Sequence, residues 1–327
     1  MPELPTAGPR SPWSALHVCV AGIGVSGFAA ADVLCRLGAR VTVVDGREGE
    51  PERERATLLG ILGATVRLGV ADELAPDVDL VVTSPGWRPA QPLLAAAASA
   101  GIPVWGEVEL AWRLRPSGAA PWLCVTGTNG KTTTVRMLAS MLTAGGARAV
   151  AAGNVGLPVL EAVLAPEPYD VIAVELSSYQ LHWAHSLSPL AAAVLNVAPD
   201  HVDWHGSLEA YAADKGRIYE RTQRACVYNV VDAETERLVR AADVEEGCRA
   251  IGFTLGVPAV GQVGVVDDVL VDRAFIPERA DSAAELGTLA DVSPYAPHNV
   301  ENALGAAALA RAYGVEPAAV GDGLRAY

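Results

Sequence analysis

The sequence predicts an α/β fold of two successive parallel-sheet domains, on three observations. Short runs rich in Val and Ile alternate with Ala/Leu-rich stretches of helical length, the pattern of βαβ units. Two strand-length runs end in glycine-rich turns that lead into helical stretches: Gly22-Ile23-Gly24-Val25-Ser26-Gly27 and Gly127-Thr128-Asn129-Gly130. Between them, residues 115–121 (Arg-Pro-Ser-Gly-Ala-Ala-Pro) read as a linker. The expectation is an N-terminal, doubly wound, Rossmann-like domain at 1–115. A P-loop-type, mainly parallel α/β domain follows at 121–321, with a small antiparallel extension.

In chain order, the first unit is a strand at 17–21, the Gly22 turn, a helix at 28–37 and a strand at 40–45. Further strands fall at 65–68, 80–84 and 103–105. The second domain opens with a strand at 122–126, and later strands fall at 171–175, 191–196 and 225–229. From 250 to 292 the Val-rich text is broken by Gly, Pro and Asp, which reads as short antiparallel strands and hairpins. Residues 301–313 form a helix, and 321–327 look like the start of a linker, placed at 322–327.

A chain of 327 residues with 51% hydrophobic and 19% charged residues can bury a large core. Its net charge of −14 excludes an extended basic footprint for nucleic acid, but not one local nest of amides for a nucleotide. Cys19, Cys35, Cys124, Cys226 and Cys248 show no CxxC pairing and read as buried thiols of a reducing compartment. The Pro-rich start, 1–14, does not resemble a signal peptide, and no apolar run reaches membrane-spanning length. The expected location is the cytoplasm.

Of the 24 basic residues only two are lysines, Lys131 and Lys215. Lysine differs from arginine where a compact ammonium is needed, or where an amine must lose its proton and react. Lys131 lies in Gly127-Thr128-Asn129-Gly130-Lys131-Thr132-Thr133, between a strand and a helix. That context makes a phosphate-binding loop: amides and the helix N-terminus for phosphate oxygens, Lys131 for the β/γ-phosphates, and the Thr132 hydroxyl for Mg²⁺. Val125 stands where the strict motif has its first glycine.

Glu175 closes the apolar strand at 171–175, where a parallel sheet gathers ligands, and is placed to bind Mg²⁺ through oxygen. His201 lies in Asp200-His201-Val202-Asp203-Trp204-His205, again at a strand end. The cluster could suggest a transition-metal site, but no second ligand cluster supports one. His201 reads instead as a Mg²⁺ or substrate-carboxylate contact, and His182 and His185 as a helix face. The Gly22-x-Gly24-x-x-Gly27 turn with Asp45 fits a dinucleotide or the diphosphate of a UDP-sugar equally well. In the second reading Val25, Ser26 and Gly27 present amides to phosphate, and Asp45, Gly46 and Arg47 meet uracil or ribose. Ser84-Pro85-Gly86 forms a further wall.

On these residues the chain resembles the Mur ligases across nearly its whole length. The matching segments are 127–133, Gly153-Asn154-Val155-Gly156, 175–181, 196–203, 211–219 and His298-Asn299-Val300-Glu301-Asn302. Leu176-Ser177-Ser178-Tyr179-Gln180-Leu181 looks like the D-glutamate-adding branch. The resemblance implies ATP-driven amide formation between UDP-N-acetylmuramoyl-L-alanine and D-glutamate, through an acyl phosphate. It implies a carbamylated Lys215, two Mg²⁺ ions shared by the phosphates, Thr132, Glu175 and Lys215, and Asn302 at the adenine. Asn154 and His201 would hold the end of the substrate that carries the carboxylate. A cytoplasmic monomer is expected.

The family carries a third, C-terminal domain, and the text stops where that domain should begin. The expectation is a chain that binds the UDP-linked precursor yet turns over weakly or not at all. Three other readings compete: another Mur or folylpolyglutamate-type ligase, a non-catalytic nucleotide-binding module, and an NAD-dependent oxidoreductase using residues 22–45. The last leaves Lys131, Glu175 and Lys215 unexplained.

Overall fold

Runs of apolar residues buried on both faces mark the centres of two sheets. The computed structural model describes residues 8–154 and 156–327, so Val155 of the glycine-rich 153–156 motif and residues 1–7 of the N-terminal segment lie outside the described residues. The chain divides into two compact units. Among the described residues, the first comprises those up to Ala119, Pro158–Leu164 and Trp183–Ser186; the second comprises the rest, from Ala120 onward.

The first unit holds β1 (His17–Ala21), β2 (Arg40–Asp45), β3 (Thr65–Leu68), β4 (Leu80–Thr83) and β5 (Val104–Gly106). They pair in the order β3-β2-β1-β4-β5, all parallel. Every residue of β1 and of β4 is buried, as expected for strands covered on both faces. The strand order reverses between β1 and β4, so the crevice beyond their carboxyl ends is the place for a ligand. Helix α1 (Val25–Arg36) starts three residues before the predicted Phe28. Gly24 is its extended N-cap, and Phe28 N–H already donates to the Gly24 carbonyl. Val25, Ser26 and Gly27 are therefore the first turn of a helix rather than loop. Helices α2 (Glu50–Ile61), α3 (Pro92–Ser99) and α4 (Glu107–Arg113) complete the layers.

The second unit is a nine-stranded sheet, ordered β14-β13-β12-β11-β10-β9-β6-β8-β7. It contains β6 (Trp122–Thr126), β7 (Ala149–Gly153), β8 (Val171–Glu175), β9 (Ala191–Val194), β10 (Ala225–Asn229), β11 (Arg249–Phe253), β12 (Gln262–Val266), β13 (Val269–Asp272) and β14 (Ala284–Thr288). From β7 to β12 the pairing is parallel, and only β13 and β14 are antiparallel. The expected antiparallel extension is thus smaller than 250–292, because β11 and β12 continue the parallel sheet. Helices α5 (Lys131–Ala144) and α11 (Pro297–Tyr313) cover the sheet, and α11 starts four residues before the predicted Glu301. Shorter helices α7 (Ser178–His182), α8 (Val202–His205), α9 (Leu208–Gly216) and α10 (Ala233–Ala241) lie between its strands, while α6 (Val159–Val163), which follows β7 in the chain, belongs to the first unit.

The linker expected at 322–327 is overturned. Pro317–Ala326 is helix α12, packed on α5. Val320 and Leu324 join the core of the second unit, each worth about 1.5–3 kcal/mol when buried. The Gly321-Asp322-Gly323 text hid this. Glycine serves there for close approach, since a Cβ on Gly323 would come 2.4 Å from the Met141 Cα. Among the described residues no helix is long and apolar enough to cross a membrane.

Candidate functional site

In the second unit, β6 delivers the chain to the 127–130 loop, and α5 begins at Lys131. Gly130 caps α5 in the left-handed region, φ 85°. The Asn196 backbone carbonyl accepts from the Thr128 amide at 3.0 Å, and the Asn196 side-chain Oδ1 accepts from the Asn129 amide at 2.9 Å. Those two amides are thus spent on shaping the loop. The first-turn amides of α5, Lys131 to Thr133, have no carbonyl within the helix to receive them and sit at its positive end.

Three sequence-predicted residues meet beside the loop. Thr132 Oγ1 donates to Glu175 Oε2 at 2.8 Å, and Asn154 Nδ2 donates to Glu175 Oε1 at 3.1 Å. Glu175 is buried at the carboxyl end of β8, the neighbour of β6, which is why sequence position and site agree.

The two lysines converge. Lys131 Nζ donates to the Gly127 carbonyl at 2.9 Å and to that of Thr128 at 3.0 Å. Lys215 Nζ, from the end of α9, donates to the same Gly127 carbonyl at 2.8 Å. Lys215 is only 1% exposed. Burial, and then the Lys131 ammonium, bring its amine down to about 7 against an upward pull from Asp200. Burial also lowers Lys131, opposed by Glu175 and Asp200. Lys215 Nζ stands 4.6 Å over the Tyr211 ring, and the Tyr211 hydroxyl meets Thr128 Oγ1 at 3.0 Å.

His201 lies among acidic and aromatic side chains. It adopts φ 50° before α8, its Nε2 faces Asp200 at 3.3 Å, and its ring packs on Tyr179 and Tyr211. Asn302 lines a cavity of about 290 Å³ with Asn129, Gly130, Asn196, Phe253, His298 and Glu301. Asn196 opens the family-like segment 196–203, whereas Phe253 had no sequence signal as a site residue, because its strand reaches the loop only through sheet order. Among the described residues no group of three or more His, Cys, Asp or Glu side chains is arranged for a metal ion.

Histidines 182 and 185 do not share a helix face. His182 ends α7 and its Nδ1 meets Asp214 at 2.9 Å, whereas His185 belongs to the first unit, with Nε2 3.1 Å from the Val104 carbonyl. The cysteines also differ from expectation. Cys19, Cys124 and Cys226 are buried, but Cys35 and Cys248 are half-buried, and Cys226 and Cys248 bring their sulfurs to 3.8 Å.

In the first unit, the Gly22 turn closes at the β1/β4 crevice. Gly22 has φ 98°, and a Cβ on Gly27 would fall 1.8 Å from the Gly22 carbonyl oxygen, so both positions require glycine. Asp45 is buried with both oxygens engaged: Oδ2 accepts from Ile23 N–H at 2.8 Å, and Oδ1 from Arg47 N–H at 2.9 Å. Burial pushes its carboxyl up, but the Arg47 guanidinium and these amides outweigh that and hold it below the ordinary value. Asp45 thus builds the turn, while Arg47 and Gly46 are exposed beside it. Ser84 Oγ lies 3.4 Å from the Gly22 carbonyl, and Gly86 follows in the next turn.

Residues 125–310 match the Mur ligase middle domain, and residues 16–106 match the N-terminal domain of MurD-like Mur ligases. The UDP-N-acetylmuramoylalanine–D-glutamate ligase of Streptomyces avermitilis is 64% identical over 315 residues, covering 96% of this chain and 68% of that protein. The same-named ligase of Streptomyces coelicolor is 63% identical, covering 97% and 68%. Among solved structures, the UDP-N-acetylmuramate:L-alanyl-γ-D-glutamyl-meso-diaminopimelate ligase of Neisseria meningitides aligns with a TM-score of 0.60 at 21% identity, covering 95% of this chain and 98% of that one. That likeness speaks to the fold. The two domain matches and the Streptomyces relatives establish that this chain belongs to the Mur ligase family.

Proposed function

We propose that this chain acts in the ATP-dependent joining of D-glutamate to UDP-N-acetylmuramoyl-L-alanine, a step of peptidoglycan-precursor synthesis. The Streptomyces relatives bear the name of that ligase. The observation that carries the reading is the meeting of the Lys131 and Lys215 amines at one carbonyl, Gly127. A buried amine lowered to about 7 is half neutral at that pH, and a neutral amine is what CO₂ requires to form a carbamate. Carbamylation would turn Lys215 into an oxygen ligand beside the phosphate loop.

The residues present fit Mg²⁺ and ATP. Thr132 and Glu175 are hard oxygen donors already 2.8 Å apart. A carbamylated Lys215 would serve a second ion. When bound, ATP would supply the γ-phosphoryl group that converts the alanine carboxylate to an acyl phosphate, with Mg²⁺ offsetting charge; attack of the D-glutamate amine on the acyl carbon would then form the amide and release inorganic phosphate. The chain's own part is alignment and charge neutralisation. Lys131 and the α5 N-terminus offset phosphate charge, Gly130 lets the loop pass close to Asn302, and the cavity at Asn302 takes the adenine. Asn154 fixes Glu175 and faces the substrate carboxylate, with His201 at its exposed side. In the first unit, the amides of Val25, Ser26 and Gly27 take the diphosphate, and Gly46, Arg47, Ser84 and Gly86 line the uridine, with Asp45 holding the turn. The reading includes a cytoplasmic monomer that binds neither nucleic acid nor membrane, in keeping with a net charge of −14.

Thermal unfolding tests it. MgATP and UDP-N-acetylmuramoyl-L-alanine should each raise the melting temperature, and NAD should not. Stabilisation by NAD alone, or indifference to MgATP, overturns the reading. Tested on the full-length enzyme, phosphate release that depends on D-glutamate rather than L-alanine or L-glutamate separates it from the other ligase readings.

A further inference from the structure

A second polar constellation in the same unit is not used by the chemistry above. Ser178 Oγ lies 3.0 Å from His205 Nε2, and His205 Nδ1 lies 2.8 Å from Asp214 Oδ2. Asp214 also faces His182 Nδ1 at 2.9 Å and the Arg217 guanidinium at 3.9 Å. A carboxylate only accepts, so His205 carries its proton on Nδ1 and leaves Nε2 bare. Ser178 must then donate its hydroxyl proton to Nε2. The order of groups is that of a Ser-His-Asp triad. Ser178, however, is 2% exposed and the His205 side chain is 0% exposed, so no substrate carbonyl can reach the serine. The arrangement holds a ring in place.

What that ring touches gives it a purpose. Tyr179 stacks on His205, centroids 5.5 Å apart and planes 3° from parallel, and Tyr179 also packs on His201 at 4.9 Å. Tyr211 meets His205 edge-on, centroids 5.2 Å apart. Tyr211 in turn bonds Thr128 of the phosphate loop and lies under Lys215. We infer that His205 is a positioning residue: its imidazole, locked as one tautomer between Ser178 and Asp214, sets the Tyr211 ring and through it Lys215 and Thr128. Both hydrogen bonds are needed because one bond fixes a point and two fix the plane of a ring. Burial, the largest influence on His205, lowers its pKa despite Asp214, which favours the neutral ring this bonding requires.

The inference rests on the reading of this unit as an ATP site, and the test separates the two. The whole chain is titrated calorimetrically with MgATP. His205→Phe keeps a ring and loses both bonds; affinity should fall at least tenfold. His205→Gln offers one oxygen to Ser178 and one N–H to Asp214; it should remain within about threefold of the unaltered chain. Equal losses in the two variants, or none in His205→Phe, overturn the positioning role. If His205→Phe fails to fold, ¹⁵N imidazole spectra of the unaltered chain decide. His205 should show a protonated Nδ1 and a bare Nε2, and the opposite tautomer overturns the role. Failure of the unaltered chain to bind MgATP sinks the ATP reading itself, and this inference with it.

Discussion

Position 130 imposes two demands that only glycine meets. Its φ of 85° belongs to the left-handed region, and a Cβ there would stand 2.1 Å from Asn302 Oδ1. Gly130→Ala should therefore strain the backbone by roughly 1 kcal/mol and displace Asn302 from the cavity wall. MgATP affinity is expected to fall about tenfold, roughly 1.4 kcal/mol, by calorimetry; unchanged affinity would remove Asn302 from the nucleotide site. Lys215 makes a different demand, for an amine that can be neutral. Lys215→Arg keeps a charge but cannot take up CO₂. With ¹³C-bicarbonate the unaltered chain should give a carbamate resonance in ¹³C spectra, absent in Lys215→Arg and in the less disruptive Lys215→Met. A resonance that survives in Lys215→Met would place the carbamate elsewhere. Sequence singled out both residues, one by its motif and one by the rarity of lysine. It placed Asn196 in a family-like segment but gave no sign of its bonds to the loop, because an asparagine's partner is known only when its neighbours in space are known.

Glu107 shows what an element end can store. It opens α4, is buried, and accepts the Leu160 N–H at 2.9 Å at the start of α6. Burial drives its carboxyl up to about 7, opposed by the Leu160 and Val159 amides and assisted by Glu161. A carboxyl raised from 4.5 stabilises the fold fully below 4.5, and the contribution is lost as pH climbs through about 7. The loss amounts to about 3 kcal/mol. Glu107→Gln keeps an acceptor and cannot ionise. The stability difference, variant minus unaltered chain, should therefore grow between pH 4.5 and 7 in denaturant titrations and then level off. A flat difference would mean that Glu107 titrates as it does in the unfolded chain. Among the strands, β7 escaped the sequence reading because Ala-Val-Ala-Ala-Gly is poor in branched residues; register with β8 makes it a strand. The β11–β12 pair was misread because parallel neighbours usually need a longer connection. Only two residue pairs, Gly252 with Gln262 and Phe253 with Val263, are matched, which is what so short a crossover permits.

Each unit of the whole molecule has its own sheet and its own crevice, and each should answer to its own ligand. At a hundredfold excess over the dissociation constant, MgATP should stabilise the second unit by about 2.7 kcal/mol. Gly323→Val should lower the stability of that unit by about 1–3 kcal/mol, since its side chain would be driven into the α5 backbone. Unfolding followed by tryptophan fluorescence reads both effects, and a neutral Gly323→Val would show that α12 is not part of the core. The sequence by itself determined the class of fold, the two glycine turns, the strand-loop-helix passage at 127–131 and the carboxylate at the end of β8. These follow from residues close together in the chain, whose spacing and chemistry are visible without a fold. Only the tertiary structure decided that Lys215 reaches Gly127, 88 residues away, that Asn196 shapes the loop, that Asp45 serves its own turn, and that His205 stands between Ser178 and Asp214. Those contacts depend on strand order and helix packing, which are set by the burial of distant side chains together and leave no local pattern in the text.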